Sequence, residues 1–318
     1  MNKLARYIGN GNVEIVSEPM PVCPPGGLLV ETEACGLCSG ELMAWYMDRK
    51  LPHVLGHEVA GTVRESQDDR FPVGSRVFPH HHAPCLQCDL CRRGQFVHCL
   101  TWKRTKLQPG GMAQFFAVAA ENLTDTHRID DLRALDGALI EPLACVAKAA
   151  RLAKVTDADR IGVIGVGFMG LLHALSFHSC QATDLNPARR AWAAAQGVQV
   201  ESPLSGEFEV LFVLPGVQAA FDAAITVAAP GARIVIFAPV PPDTHLAVPF
   251  EAYFRDIQVI HAYSAGPNDS EIALNWLREG RVRAEQVVTD WISLDELPAA
   301  YRAMRAGAIL KPMVQFSR

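Results

Sequence analysis

The glycine-rich loop at residues 165–170 is the feature that most limits how this chain can fold. An apolar run with the character of a buried strand, Ile161–Ile164, leads directly into Gly165-Val166-Gly167-Phe168-Met169-Gly170, and a helix-like stretch follows. A strand, a G-x-G-x-x-G loop and a helix in this order are typical of a parallel sheet whose strands are connected by helices. The segment therefore predicts a βαβ unit that binds a dinucleotide.

Each part of this loop has its own physical role. Gly165 permits the tight turn, Gly167 lets a pyrophosphate approach the backbone, and Gly170 lets helix and strand pack closely. Phe168 and Met169 open the helix, where N–H donors and the positive end of the helix dipole favour an anion.

An acidic residue follows at the distance expected for a ribose contact. Asp184 ends the next strand-like run, 19 residues after Gly165. A carboxylate there would accept hydrogen bonds from the ribose diol and repel a 2′-phosphate, which favours NAD over NADP. Arg189 and Arg190 lie close by and leave NADP open as an alternative, because either could bind a phosphate.

The chain divides into two regions with different patterns. Up to about residue 145, short β-like runs broken by Gly and Pro occur at residues 28–31, 59–63, 76–78 and 115–118, which predicts a β-rich module. After a helix at residues 144–154, strands at residues 161–164, 181–185, 210–214, 233–237 and 257–261 alternate with helices at residues 171–177, 188–196 and 216–228. This alternation predicts a parallel sheet covered by helices. A late helix at residues 294–306 and a strand at residues 313–316 could return to the first module.

Composition excludes several classes of protein. Of 318 residues, 49% are apolar and 20% charged, and the formal net charge is −5. This balance is typical of a folded globular protein, and no basic run is long enough to follow a nucleic-acid backbone. No apolar run reaches the roughly 18 residues that span a bilayer, and the N-terminus lacks the apolar segment of a signal peptide. We therefore expect a cytoplasmic protein with no nucleic-acid or membrane partner.

Four of the nine cysteines form a compact cluster. Cys85, Cys88, Cys91 and Cys99 have the spacing C-x2-C-x2-C-x7-C. Four thiolates so spaced suit a closed, tetrahedral, structural Zn²⁺ site, and neighbouring basic side chains could offset the surplus negative charge. An iron–sulfur cluster and a reduced, metal-free cluster are the alternatives.

A second set of metal-type residues is scattered over a hundred positions: Cys38, Gly56-His57-Glu58 and Glu141-Pro142. Taken singly, a cysteine or histidine is more often a packed core residue than a ligand. Together with longer motifs, however, these residues carry a resemblance to the zinc-containing medium-chain dehydrogenases, which include alcohol, sorbitol and threonine dehydrogenases. The motifs are Cys35-Gly36-Leu37-Cys38, Val54-Leu55-Gly56-His57-Glu58, the four-cysteine cluster, Gly110-Gly111-Met112-Ala113, Ala138-Leu139-Ile140-Glu141-Pro142-Leu143, the glycine loop and Asp184.

The resemblance implies a fold and a chemistry. It implies an α/β protein with a GroES-like β-rich catalytic domain at residues 1–145, completed by about residues 285–318, and a Rossmann domain with a doubly wound parallel sheet at residues 146–284. It implies a catalytic zinc on Cys38, His57 and Glu141, with Glu58 as an acid that can exchange with water as a ligand. With the structural zinc, the chain would hold two Zn²⁺ ions and use NAD to oxidise a small alcohol or polyol. A homodimer or homotetramer would form by pairing of the strand at residues 233–237.

The chain departs from the family at the proton relay. Family members usually carry Ser or Thr two residues after the ligand cysteine, but this position is Gly40, with Ser39 one place earlier. Ser39, Tyr46 or a chain of waters would have to substitute. Glu41 can still hold the His57 ring from outside the metal site. His82 matches a substrate-side histidine of threonine dehydrogenases, although the triplet at residues 80–82 is better interpreted as a packed or solvated turn.

Competing functions remain open at this level. A non-catalytic nucleotide-binding relative would explain Gly40, and an NADP-dependent alcohol or aldehyde reductase would explain the two arginines. A zinc-ribbon interaction module built on the four cysteines fits poorly with the acidic charge and the complete nucleotide motif. The substrate is also open, because Met43, Trp45 and Tyr46 favour a less polar molecule than a sugar, whereas Glu141 resembles the polyol enzymes.

Overall fold

The computed structural model describes residues 1–316, so the last two residues of the predicted C-terminal segment, 317 and 318, lie outside the described part. The chain forms two compact units. The first contains Met1–Ala144, Ala265–Glu279 and the residues from Arg283 onward, and the second contains Cys145–Ser264 and Gly280–Val282.

Strands and helices are numbered here in chain order. The strands are β1 (Asn2–Gly9), β2 (Asn12–Glu18), β3 (Leu28–Gly36), β4 (His53–Val54), β5 (Glu58–Ser66), β6 (Arg76–Pro79), β7 (Phe115–Val118), β8 (Thr126–Arg128), β9 (Ile161–Ile164), β10 (Cys180–Thr183), β11 (Gln199–Val200), β12 (Phe208–Val213), β13 (Ala228–Ile236), β14 (Gln258–His261), β15 (Asp290–Ile292) and β16 (Pro312–Gln315).

The α-helices are α1 (Ala44–Met47), α2 (Asp89–Arg92), α3 (Leu100–Arg104), α4 (Ala134–Gly137), α5 (Ile140–Leu152), α6 (Phe168–Ser176), α7 (Pro187–Ala195), α8 (Gln218–Val227), α9 (Glu251–Phe254), α10 (Pro267–Arg278), α11 (Ala284–Val287) and α12 (Leu297–Arg305). Short 3₁₀ turns cover Ser39–Leu42, Asp48–Lys50, Phe96–His98, Ala120–Asp125 and Leu294–Glu296.

The first unit is built on two sheets. One has the strand order β2-β1-β4, and the other has the order β15-β16-β3-β5-β6-β8, with β7 also pairing with β3. Strand β3 pairs antiparallel with β5, so that Gly36 lies opposite Glu58, and it pairs antiparallel with β16, so that Gly36 also lies opposite Met313. The late strand β16 therefore completes the sheet that carries the first half of the chain.

The core of the first unit joins both ends of the sequence. Tyr7 of β1 and Tyr301 of α12 are fully buried, and their ring centroids lie 6.4 Å apart. They pack with apolar side chains of the large sheet, including Val30 and Val59. Apolar burial of this kind supplies most of the stabilisation of a domain.

The second unit is an open parallel sheet with the strand order β11-β10-β9-β12-β13-β14. Its central strand β9 is buried along its whole length, as expected for a strand with helices on both faces. The order reverses at β9, next to the glycine loop, which is where such sheets bind ligands. The predicted α/β fold, a β-rich module with a separate doubly wound sheet, is confirmed.

One prediction about this sheet is wrong. Strand β13, which contains most of residues 233–237, pairs with β12 on one side and with β14 on the other. Both of its backbone edges are therefore occupied, and it cannot pair across a two-fold axis. In the described residues the last strand of the sheet on that side is β14. The helices of residues 1–316 are all too short or too polar to cross a bilayer.

Candidate active site

The four predicted zinc cysteines meet in one small lobe. Cys88 precedes the first turn of α2 and Cys99 precedes the first turn of α3, so both lie at helix N-termini, where a negative charge is stabilised. Cys91 and Cys99 are buried with Trp102 in a local apolar cluster. The lobe therefore has its own small core, formed by side chains of the same short segment.

The sulfur positions fit a tetrahedral metal ion. The Sγ atoms of Cys88 and Cys91 are 3.5 Å apart, those of Cys85 and Cys99 are 3.6 Å apart, and those of Cys85 and Cys91 are 3.9 Å apart. Four sulfurs at 2.3 Å around Zn²⁺ are separated by about 3.8 Å. The spacing is that of a closed four-thiolate site, with no position left for a substrate.

A second, open group of metal-type atoms lies elsewhere in the first unit. Cys38 precedes the 3₁₀ turn at Ser39–Leu42, His57 precedes β5, and Glu58 is the first residue of β5. One potential ligand atom from each of the three lies within 4.8 Å of the others. Three protein ligands leave a fourth tetrahedral position open, as in catalytic zinc sites. Burial raises the pKa of the Cys38 thiol, although the adjacent His57 opposes the shift.

Glu41 lies against the His57 ring, next to the open group. Its Oε1 atom accepts a hydrogen bond from the Gly56 N–H at 2.8 Å and lies 3.4 Å from His57 Nδ1. Burial alone would raise the pKa of Glu41, but the His57 ring and the Gly56 N–H together lower it to about 2. The Tyr301 hydroxyl donates to the backbone carbonyl of Glu41 at 2.7 Å. The carboxylate is therefore charged and fixed beside the His57 ring, which also neighbours Cys38.

Lys311 is a member of this site that the sequence did not reveal. Its ammonium group is fully buried, forms an ion pair with the Glu58 carboxylate and donates to the Leu37 carbonyl at 3.0 Å. A buried carboxylate needs a charged partner, and Lys311 is that partner for Glu58. The available signal was a single lysine within the apolar run Ile309 to Phe316.

Glu141 lies in an adjoining group rather than in the group of Cys38. It is in the first turn of α5 and is buried, and potential ligand atoms of Glu141, His80 and His81 lie within 4.8 Å of one another. Burial raises the pKa of Glu141, while the charge of His57 opposes the shift. The structure therefore brings Glu141 close to the open site, with two histidines beside it.

The residues considered for the proton relay and for the substrate side occupy different surroundings. Ser39 is exposed, at the start of its 3₁₀ turn. A Cβ on Gly40 would meet only Cys38 Sγ, at an ordinary contact distance of 3.5 Å, so a side chain would fit there. His82 packs on Trp102, with ring centroids 4.2 Å apart, and its Nδ1 atom lies 2.5 Å from the Thr105 carbonyl. His82 therefore belongs to a packed turn.

The glycine loop has the geometry that nucleotide binding requires. Gly165 has φ +96°, and a Cβ on it would lie 2.9 Å from Pro215, so only glycine fits without strain. Nothing lies within 4 Å of a Cβ built on Gly167, which leaves space for a phosphate group. A Cβ on Gly170 would overlap the Gly165 carbonyl, because helix α6 starts directly against the loop. Phe168 and Met169 form the first turn of that helix.

Asp184 and its neighbours complete this second candidate site. One carboxylate oxygen of Asp184 accepts from the Val166 N–H at 2.9 Å and the other accepts from the Asn186 N–H at 2.8 Å. Arg189 lies 3.7 Å from the same carboxylate. Arg190 donates to the backbone carbonyls of Asp184 and Leu185. The Asp184 carboxylate is thus fixed beside the glycine loop. The Arg190 side chain is held by its hydrogen bonds to backbone carbonyls.

Comparison with known proteins agrees with this arrangement. The Alcohol dehydrogenase GroES-like domain matches residues 24–128. The chain is 30% identical to D-altritol 5-dehydrogenase of Agrobacterium fabrum over 315 residues, covering 92% of this chain and 93% of the relative. It is 29% identical to sorbitol dehydrogenase of Bombyx mori, over 58% of this chain and 55% of the relative.

A solved structure shows the same fold. Galactitol-1-phosphate dehydrogenase of Escherichia coli superposes with a TM-score of 0.86 at 21% identity, covering 99% of this chain and all of that one. The GroES-like match and the 30% identical relative place the chain in the zinc-containing medium-chain dehydrogenase family. Within that family it belongs with the alcohol and polyol dehydrogenases.

Proposed function

We propose that this chain is a zinc-dependent dehydrogenase that transfers a hydride between the CH–OH group of a polyol or alcohol and NAD. The observation that carries the proposal is the open group of Cys38, His57 and Glu58, three different ligand types with atoms within 4.8 Å of one another. This arrangement differs from the closed lobe because it leaves a coordination position for a substrate oxygen.

Some residues of the site would bind a zinc ion directly, and others would support those ligands. Cys38 and His57 would supply the thiolate and the imidazole, and Glu58 or the adjoining Glu141 would supply a carboxylate. When bound, zinc provides a Lewis acid that lowers the pKa of an alcohol, and the nicotinamide accepts the hydride. Glu41 fixes the ring of His57 by its contact with Nδ1. Lys311 neutralises Glu58, so that the site is not left with an uncompensated buried charge.

The nucleotide site supports NAD as the cofactor. Asp184 is positioned by two backbone N–H groups, so its remaining lone pairs can accept from a ribose diol while its charge repels a 2′-phosphate. Arg190 is held by backbone carbonyls, which leaves Arg189 as the cation nearest the carboxylate. Asp184→Ala should therefore weaken NAD binding and relatively favour NADP. Preference of the unaltered protein for NADPH would contradict this assignment.

The substrate class is proposed from the named relatives, which act on polyols. The experiment is a panel of sugar alcohols, simple secondary alcohols and primary alcohols, assayed with NAD and with NADP by the absorbance of the reduced nicotinamide. We expect turnover with NAD on polyols with adjacent hydroxyl groups. A protein that binds NADH and contains zinc but oxidises no member of the panel would support the alternative, a non-catalytic relative, for which the missing hydroxyl at Gly40 is the favouring observation.

We further propose a cellular compartment, a domain organisation and an oligomeric state for the chain. The four lobe cysteines and Cys38 are thiols, which suits the reducing conditions of the cytoplasm. The residues up to Ala144 and the C-terminal segment would form the catalytic domain, and the parallel sheet would form the nucleotide-binding domain. Strand β14, at the end of that sheet, would be the strand available for a homodimer or homotetramer. Light scattering at micromolar concentration tests the assembly.

A further inference from the structure

The triplet His80-His81-His82 brings two histidines, which the proposed dehydrogenase mechanism does not use, next to Glu141. One nitrogen of His80, one nitrogen of His81 and one carboxylate oxygen of Glu141 lie within 4.8 Å of one another. These residues are distinct from Cys38, His57 and Glu58, which form their own group. The two groups adjoin, since the His57 and His81 ring centroids are 4.8 Å apart.

Two histidine nitrogens at this place, one on His80 and one on His81, have no hydrogen-bond partner among the described residues. His80 is fully buried, and its Nδ1 atom is engaged with the backbone of His82, which leaves the buried Nε2 atom unpaired. The Nδ1 atom of His81 is also buried and unpaired. An unpaired polar atom in a protein interior is costly, and such atoms usually have a partner. A ligand between the two rings would provide one.

The turn that carries the histidines is held in place by its backbone. The side-chain amide of Asn122 donates to the carbonyls of His80 and His81 at 3.0 and 3.2 Å, and the His80 N–H donates to the Asp125 carbonyl at 2.9 Å. The His81 ring lies between those of His57 and His82, at centroid distances of 4.8 and 4.3 Å. The rings are therefore presented by a fixed scaffold.

The donor set identifies the class of ligand. Two imidazole nitrogens and one carboxylate oxygen form a recognised zinc ligand set, and imidazole also suits the other late divalent transition metals. Ligand atoms around a tetrahedral zinc are about 3.4 Å apart. Side-chain rotations that move the ligand atoms by about an ångström would bring them to that spacing. Among these three side chains, Glu141 supplies the negative charge that a dication requires.

We propose that His80, His81 and Glu141 form a second divalent-cation site, adjoining the open Cys38 site, that takes Zn²⁺. The site has no thiolate, so it binds zinc more weakly than the Cys38 group or the lobe. Glu141 also faces His57 and Glu58, so occupation of the second site engages a carboxylate at the border of the catalytic group.

The test counts zinc on the full-length folded protein. Each variant is dialysed against Zn²⁺, and bound zinc is then measured by a titration with a competing metal indicator. We expect the unaltered protein to bind one zinc equivalent beyond those of the lobe and the open group. In His81→Asn the affinity for that equivalent should be reduced about tenfold or more, since even outer partners of metal ligands contribute that much. His80→Asn should behave as His81→Asn does. If the buried His80 variant fails to fold, the half-exposed His81 variant still decides the question.

Two further variants distinguish this site from its surroundings. His178→Asn removes an exposed histidine of the other unit and should retain the additional equivalent. Cys38→Ser should lose the zinc of the open group but keep the additional equivalent. The proposal is overturned if the unaltered protein takes up no additional zinc, if His81→Asn retains it, or if Cys38→Ser or His178→Asn abolishes it. None of these outcomes depends on whether the protein oxidises a polyol.

Discussion

The closed cysteine lobe and the open Cys38 group are two metal-type sites built in opposite ways. All four lobe sulfurs come from one short segment, residues 85–99, and they are already at the spacing of a tetrahedron. The open group combines a turn, a strand end and, through Lys311, a strand from the far end of the chain. In the lobe a metal ion would add to a very small core, whereas in the open group the fold itself positions the candidate ligands.

The difference implies that a zinc ion would have different energetic roles at the two places. In the lobe, the small cluster around Trp102 is too small to stabilise the segment by apolar burial alone. Binding energy of a structural zinc therefore contributes directly to folding. In the open group, Glu41, Tyr301 and the sheet fix the ligands before a metal binds. A zinc ion bound there would serve chemistry more than stability.

The largest expected effect comes from Cys91→Ser in the lobe. Loss of one thiolate should release the structural zinc, whose binding in small zinc domains is worth about 10 kcal/mol or more. Zinc content and melting temperature should fall together, and activity should follow the amount of folded protein. Cys23→Ser is the matched control, because Cys23 is a buried thiol outside both sites. Equal effects of the two substitutions would remove the distinction between the sites.

His57→Ala in the open group should produce the reverse pattern. Turnover should fall about a thousandfold or more, since a Lewis acid contributes several kcal/mol to the transition state. The melting temperature and NADH binding should be close to those of the unaltered protein. His178→Ala, at an exposed position in the other unit, provides the control. Near-normal turnover of His57→Ala would refute the catalytic assignment. A large loss of stability in this variant would mean that the open group, like the lobe, has a structural role.

His173, a buried histidine outside both metal-type sites, makes the free energy of unfolding depend on pH independently of any bound metal. Burial lowers the pKa of His173 to about 4, against its ordinary value of 6.5, while its bond to the Met169 carbonyl opposes the shift. Between these pH values the unfolded chain takes up a proton that the folded chain does not. The free energy of unfolding therefore decreases as the pH falls through this window, by about 3 kcal/mol in total.

The substitution His173→Leu should reduce that pH dependence. Unfolding free energies of the variant and the unaltered protein, measured at pH 7 and at pH 4.5, give the contribution of His173 by difference. The dependence that remains in the variant includes proton competition at the thiolate sites. Identical pH dependences in the two proteins would show that the ring is not held neutral in the helix.

The smallest expected effect concerns the support of the open site. Glu41→Gln keeps an acceptor for the Gly56 N–H but removes the charge beside His57. Zinc affinity of the open group should fall about 10- to 100-fold, with little change in the melting temperature. Glu65→Gln, at an exposed position on β5, is the control. An unchanged affinity in Glu41→Gln would mean that the sheet alone fixes the ring.

The parts of the molecule that could be predicted from sequence are local ones. The lobe follows from the spacing of Cys85, Cys88, Cys91 and Cys99, because a short segment can bring them together by itself. The glycine loop is equally local, and its three glycines meet the constraints that the motif implies. The open group needed the family resemblance, since Cys38 is separated in the chain from the pair His57-Glu58 and neither has a distinctive spacing of its own.

The features that sequence did not reveal depend on strand register. Lys311 reaches Glu58 because β16 pairs with β3 in one register, and a shift by one residue would turn a strand's side chains to the opposite face. The prediction that residues 233–237 pair across a two-fold axis failed for a similar reason. The neighbours of β13 depend on where β14 joins the sheet. His80 and His81 approach Glu141 only because the fold brings their turn to the start of α5.

The ion pair between Lys311 and Glu58 also has a consequence for how the protein matures. The two residues are separated by 253 positions, so the ribosome completes Glu58 long before it completes the lysine. Until then a nascent chain carries a carboxylate that cannot be buried favourably, and the part of β3 that later pairs with β16 has an open backbone edge. Assembly of the open site therefore waits until Lys311 has been synthesised, whereas the cysteine lobe could bind a zinc ion before that point.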